Sequence, residues 1–210
     1  MQDKKKKIGI MGGTFDPIHV GHLILAENAW HQFGLEKILF MPSANPPHKL
    51  NRKGRACIEE RVDMVQRAIS GNPHFELSLE EAFRKEYCYT SETLRRMKKE
   101  HPDTEYYFIM GADSLFAFES WHEPQKICQN CILAVAVRNH VEEETFREQI
   151  HYLAEKYHAR ILVLATPNID ISSHQIRMWI KTKGMSLRYY VPDDVISYIE
   201  EKNLYSECEK

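Results

Sequence analysis

Short apolar runs alternate with longer stretches whose apolar residues recur at helical spacing, and this alternation restricts the fold more than any other feature. Lys7–Met11, Lys37–Met41, His74–Leu79, Glu105–Met110, Cys131–Val137 and Arg160–Leu164 read as strands. Runs such as CILAVAV are apolar at nearly every position, the pattern of strands covered on both faces. Between them, Gly21–Phe33 reads as a helix stopped by Gly34, and Cys57–Ser70 as one stopped at Gly71-Asn72-Pro73. Thr90–Lys99, ended by His101-Pro102, and Glu142–Tyr157 follow, with two tail helices at about Ser172–Lys183 and Pro192–Glu201. Pro42–Arg55, with three prolines and a glycine, reads as a loop. The expected fold is α/β: a doubly wound, mostly parallel sheet with helices on both faces and a small C-terminal helical region. Ligands of such sheets bind beyond the carboxyl ends of the strands, where the strand order switches.

The 210-residue length fits one domain over residues 1–210, with 171–210 as its helical end. A net charge of −2 provides no global basic field, so a nucleic-acid partner is not expected. Lys4–Lys7 reads as a solvated tail. No apolar stretch approaches the ~20 residues of a membrane span, and no signal-peptide core follows the lysines. The cytoplasm is the expected location. Cys57, Cys88, Cys128, Cys131 and Cys208 are odd in number and scattered, which argues against a disulfide framework. Cys128 and Cys131 form C-x-x-C without a second pair, so a buried structural thiol is preferred to zinc.

The first strand-to-helix connection, Gly12–His22 (GGTFDPIHVGH), carries the strongest chemical signal. With strand one ending at Met11, Gly12 and Gly13 let the backbone turn tightly and approach a ligand. The helix starting near Gly21-His22 presents N–H groups suited to an anion. His19 and His22, three residues apart, flank that start. The residues alone leave them three roles: donors to a phosphate, a metal pair, or solvent-exposed side chains. Neither G-x-G-x-x-G nor the Walker A pattern is present.

GGTFDPIHVGHL resembles the signature of nucleotidyltransferases with a (H/T)xGH motif, whose fold is Rossmann-like. The whole chain, from Ile8 to about Tyr205, resembles the bacterial nicotinate-nucleotide adenylyltransferases. Six further blocks match in order: MPSANPPHK (Met41–Lys49), YTSETL (Tyr89–Leu94), GADS (Gly111–Ser114), Trp121, ISSHQIR (Ile171–Arg177) and Tyr189–Tyr205. The resemblance implies adenylyl transfer from ATP to nicotinate mononucleotide, releasing pyrophosphate, in NAD biosynthesis. Such chemistry depends on positioning and charge stabilisation more than on an acid or base.

By this resemblance His19, His22, Lys49 and Arg177 are the catalytic set. Gly12, Gly13, Thr14, Phe15, Gly111, Asp113, Arg138, Ile171, Ser172 and Ser173 join His19, His22 and Arg177 around ATP. Lys49, Thr90, Asp113 and Trp121 surround the mononucleotide, with Trp121 stacked on the pyridine. Two helix N-termini, those following Gly12–His22 and Ser172, would then hold one triphosphate. Mg²⁺ is expected to arrive with ATP, with no all-protein metal site. The residues by themselves leave simpler roles: a solvated loop lysine for Lys49, a core aromatic for Trp121, helix caps for Ser172 or Ser173 and for Asp113.

Two positions depart from the family pattern. His174 stands where the family usually has Thr, as a further phosphate donor or a solvent-facing side chain. Arg138-Asn139-His140 replaces Arg-Pro-Gly. Within the enzyme class, nicotinamide mononucleotide and phosphopantetheine are rival substrates. Outside it, the rival is a nucleotide-binding module without catalysis. Ile196 and Ile199 leave open whether the tail packs internally or against a second subunit.

Overall fold

The computed structural model describes residues 5–44, 54–84, 88–137 and 142–206. Six strands, β1 (Lys6–Gly13), β2 (Lys37–Pro42), β3 (Phe75–Leu77), β4 (Thr104–Gly111), β5 (Cys131–Ala136) and β6 (Ile161–Leu164), form one sheet in the order β3-β2-β1-β4-β5-β6. Every neighbouring pair is parallel. The chain winds outward from β1 to β3, then restarts at β4 on the other side of β1. That reversal places the switch point between the carboxyl ends of β1 and β4.

Strand alternation divides the core in two. Ile10, Tyr106, Phe108, Met110, Leu133 and Val135 point to one face. There they meet α3 (Thr90–Glu100), α4 (Ala112–Phe116), α5 (Pro124–Asn130) and α6 (Glu143–Tyr157) through Leu94, Leu115, Ile127 and Leu153. Met11, Ile38, Phe40, Tyr107, Ile109 and Ala134 point to the other. That face is covered by α1 (Val20–Phe33), α2 (Ile58–Ile69), α7 (Ser173–Thr182) and α8 (Asp193–Glu201). The expected parallel sheet with helices on both faces is what the chain forms. Among the described residues no helix is long and apolar enough to cross a membrane.

Some expectations change. β1 continues two residues beyond Met11: Gly12 and Gly13 stay in register with Met41 and Pro42. The chain departs from extended geometry later, at Phe15, whose φ is 49°. The two glycines instead make room for rings, since a β-carbon on Gly12 would lie 3.2 Å from Phe108 Cζ and one on Gly13 3.1 Å from Phe15 Cζ. The third strand is shorter than His74–Leu79. Helix α5 lies where no element was expected and α4 where only a cap at Asp113 hinted at one, because seven and five residues are too few for a 3.6-residue period to register. Ile199 is buried and Ile196 packs beside it, both against the core of their own chain.

Candidate active site

A cavity of about 470 Å³ opens at the carboxyl end of β1. One wall is the β1–α1 connection, with Gly13, Thr14, Phe15, Asp16, His19, Gly21 and His22. The facing wall is the start of α7, with Ile171, Ser172, Ser173, His174 and Arg177, and Arg55 adds a side chain ahead of α2. Two segments far apart in sequence therefore meet across one space, each bringing a helix N-terminus. Its charged lining is two arginines against one aspartate, a balance that attracts anions.

Local geometry sets the histidines. His19 is the N-cap of α1, extended at φ −146° and ψ 168°. Its backbone N–H points to His22 Nδ1 at 3.3 Å, and its carbonyl accepts from the His22 N–H at 3.0 Å. Accepting at Nδ1 assigns the proton of a neutral His22 ring to Nε2. The two imidazoles lie against each other at a 30° tilt, 3.8 Å between centroids, and the Phe15 ring packs edge-on against His22 at 5.1 Å. The Val20 N–H, first of α1, donates to the Tyr190 carbonyl at 2.9 Å. The C-terminal region thus occupies one of the donors that the helix start would otherwise present.

Helix α7 is capped by Ser172, whose Oγ accepts from the Gln175 N–H at 3.2 Å. Of the two serines offered by the sequence, this is the cap. Ser173 Oγ instead donates to the Pro17 carbonyl at 2.8 Å, tying α7 to the β1–α1 connection. Arg177 donates to the Asp16 carbonyl and lies 3.6 Å from its Oδ2. His174 is exposed at the cavity rim.

Asp16, 2% exposed, organises this wall. Its Oδ1 accepts from the Tyr205 hydroxyl at 2.8 Å and from the Ala56 N–H at 3.2 Å. Its Oδ2 faces Arg55 Nε at 3.7 Å as well as Arg177. Burial, reinforced by the neighbouring Asp16 charge, pushes the Tyr205 hydroxyl far above its ordinary value, so it remains a donor. Beneath, the buried Arg61 guanidinium donates to the carbonyls of Thr14 at 2.7 Å, Ser43 at 2.9 Å and Ala44 at 3.4 Å. One side chain thereby joins the ends of β1 and β2. Burial pulls its pKa down, opposed by Asp16.

Thus Gly13, Thr14, Phe15, His19, His22, Ile171, Ser172, Ser173 and Arg177 of the expected set converge on the cavity. Gly12, Gly111, Thr90, Asp113 and Trp121 do not line it. Gly111 is the N-cap of α4, and Asp113 is an exposed residue of its first turn, which removes Asp113 from the cap role. Trp121 packs against Phe108 and Phe118 with centroids at 5.8 and 5.7 Å. Its neighbour His122 stacks on Tyr89 at 4.1 Å, and Ser91 Oγ lies 3.2 Å from His122 Nδ1. The Thr90 and Trp121 segments are therefore adjacent, on the β4 side of the switch point. Lys49 and Arg138 lie outside the described residues. Cys128 and Cys131 are buried, and burial pushes the Cys128 thiol up to about 11.

Asp16, Arg55, Arg61 and Tyr205 were not singled out by sequence. Asp16 stood inside the Gly12–His22 block and Tyr205 ended the last one, but nothing in their spacing says that they touch.

Comparisons with known proteins agree with this geometry. Residues 10–178 match the cytidylyltransferase-like family model. A Lachnoclostridium phytofermentans protein named probable nicotinate-nucleotide adenylyltransferase is 43% identical, over 95% of this chain and 99% of its own length. A Thermomicrobium roseum protein of the same name is 38% identical over 97% and 93%. The solved Plasmodium falciparum nicotinic acid mononucleotide adenylyltransferase complexed with NaAD shares the fold, with a TM-score of 0.79 at 22% identity over 95% of this chain and 97% of that one. The chain belongs to the cytidylyltransferase-like family and, within it, to the nicotinate-nucleotide adenylyltransferases.

Proposed function

We propose that the chain transfers the adenylyl group of ATP to nicotinate mononucleotide, forming nicotinate adenine dinucleotide and pyrophosphate. The observation that carries this reading is the meeting of His19 and His22 with Ser172, Ser173 and Arg177 across one cavity, in a chain of this family.

A phosphate oxygen of the mononucleotide attacks the α-phosphorus of ATP. The new P–O bond forms as the bond to the bridging oxygen of pyrophosphate breaks. A phosphate monoester is largely ionised near neutral pH, its second pKa being about 6, so the nucleophile needs no general base. What the reaction needs is donors aimed at the charge developing around the α-phosphorus. His22, with its proton on Nε2, supplies one and His19 a second. The α7 N-terminus and Arg177 hold the β- and γ-phosphates. Lys49 and Arg138 are assigned to the mononucleotide and adenine sides by family resemblance. Trp121 stacks on the pyridine, beside Thr90 and Asp113.

Mg²⁺ enters as part of the Mg–ATP substrate. Asp16, the carboxylate in the cavity wall, is engaged by Tyr205 and two arginines and does not fit a metal-ligand role. Among the described residues no cluster of three or more His, Cys, Asp or Glu is arranged to hold an ion.

Pyrophosphate release measured with ATP and each of nicotinate and nicotinamide mononucleotide tests the reading. The nicotinate form is expected to turn over faster. Faster turnover of the nicotinamide form would overturn the substrate, and ATP binding without pyrophosphate release would leave a binding module.

A further inference from the structure

We propose that Arg55 is a second guanidinium of the triphosphate site, seated beside Arg177 by the buried Asp16 carboxylate and its hydrogen bond from Tyr205. The inference rests on ATP being the ligand of this cavity. Arg55 lines the same cavity as Arg177, and its side chain, like that of Arg177, is 18% exposed.

The division of labour on Asp16 carries the argument. Both hydrogen bonds to its carboxylate, from Tyr205 and Ala56, go to Oδ1. Among the described residues Oδ2 makes none, and both guanidinium groups approach it at 3.6–3.7 Å, beyond hydrogen-bond length. The carboxylate therefore holds the two arginines by charge without taking donors from their forks, although Arg177 gives one N–H to the Asp16 main-chain carbonyl. It is the most buried member of the trio, so the net positive charge faces the cavity. Two planar forks on one wall suit an anion with several oxygens, which a single lysine-like point charge would not match. Tyr205 is a positioning residue in this arrangement: with Ala56 it holds Oδ1, and so orients Oδ2 toward the arginines. A merely structural Arg55 would neutralise Asp16 and contribute nothing to phosphate affinity.

Titration calorimetry with a non-hydrolysable ATP analogue and with AMP separates the two. Arg55→Ala is expected to weaken the ATP analogue about 10–30-fold and AMP by less than about 3-fold, since AMP lacks the β- and γ-phosphates. Arg55→Lys, which keeps the charge and loses the fork, is expected to fall between wild type and Arg55→Ala. Tyr205→Phe is expected to weaken the analogue about 3–5-fold, and this effect should shrink in the Arg55→Ala background to the part that acts through Arg177. ATP-analogue binding within about 2-fold of wild type in both Arg55 variants, with thermal stability lowered, would overturn the proposal and leave Arg55 as a counter-ion. Wild-type protein that binds no ATP analogue would instead overturn the adenylyltransferase reading, and this proposal with it.

Discussion

Ile171 closes on Gly21 so tightly that a β-carbon added to the glycine would lie 2.9 Å from Ile171 Cγ2 and 3.0 Å from His19 Nδ1. This is the point where the two walls of the cavity touch. The glycine is needed for the close approach of the α7 segment to the second residue of α1.

Gly21→Ala is therefore expected to part the walls or displace the His19 ring. Overpacking of this kind costs about 1–3 kcal/mol. The fall in kcat/KM should be larger, at least about 10-fold, because His19 and Arg177 would no longer share one geometry. Thermal unfolding and steady-state turnover measured on the same preparation check it. A stable variant with unchanged kcat/KM would refute the close approach as a functional constraint.

His22→Ala removes a donor to the α-phosphate and the acceptor of the His19 N–H. The expected result is a fall in kcat of about 100–1,000-fold with ATP KM changed only a few-fold, the signature of an interaction made mainly in the transition state. A rise in KM at constant kcat would make His22 a ground-state ligand instead.

Arg61→Met keeps the aliphatic volume but leaves the carbonyls of Thr14, Ser43 and Ala44 without their donor. The expected loss of stability is about 2–4 kcal/mol, from three partly buried carbonyls that lose a charged donor. Urea unfolding measures it. A loss under about 1 kcal/mol would mean that the β1 and β2 ends hold together without this side chain.

Trp121→Ala is expected to raise the KM for nicotinate mononucleotide about 10-fold while leaving that for ATP nearly unchanged, because Trp121 stands on the β4 side, away from the phosphate cavity. Equal effects on both substrates would point to a packing role against Phe108 and Phe118.

Glu81 provides a pH test of the fold. It is buried, and burial pushes its carboxyl above the ordinary 4.5, offset in part by a hydrogen bond with Thr93. The folded chain then binds more protons at this site than the unfolded chain, so stability falls as pH rises upward from about 4.5. Glu81→Gln removes that loss, and its melting temperature relative to wild type is expected to rise between pH 4.5 and neutrality. A difference independent of pH would contradict the raised pKa.

Much of the architecture was readable because its signals are local. The run Cys131–Ala136 is buried at all six positions and was visible as CILAVA. Gly34, at φ 60°, ends α1 where a left-handed cap was expected. Reading failed where elements were too short, as in α4 and α5, or where the constraint came from another strand. The expected turn at Gly12-Gly13 is an instance: pairing with Met41 and Pro42 holds both residues extended, and the change of direction passes to Phe15.

The same division holds for the site. Sequence alone determined the sheet-and-helix alternation, helix starts near Gly21 and at Ser172 or Ser173, and, through seven ordered blocks, the family. These are properties of residues near one another in the chain or of their order along it. Only the tertiary structure decided that Tyr205 donates to Asp16 across 189 positions, that one carboxylate seats Arg55 beside Arg177, and that Tyr190 takes the first N–H of α1. Those contacts exist because winding the chain outward from both sides of β1 returns its C-terminal segments to the β1 end. Burial then demands a partner for every charge and donor enclosed there.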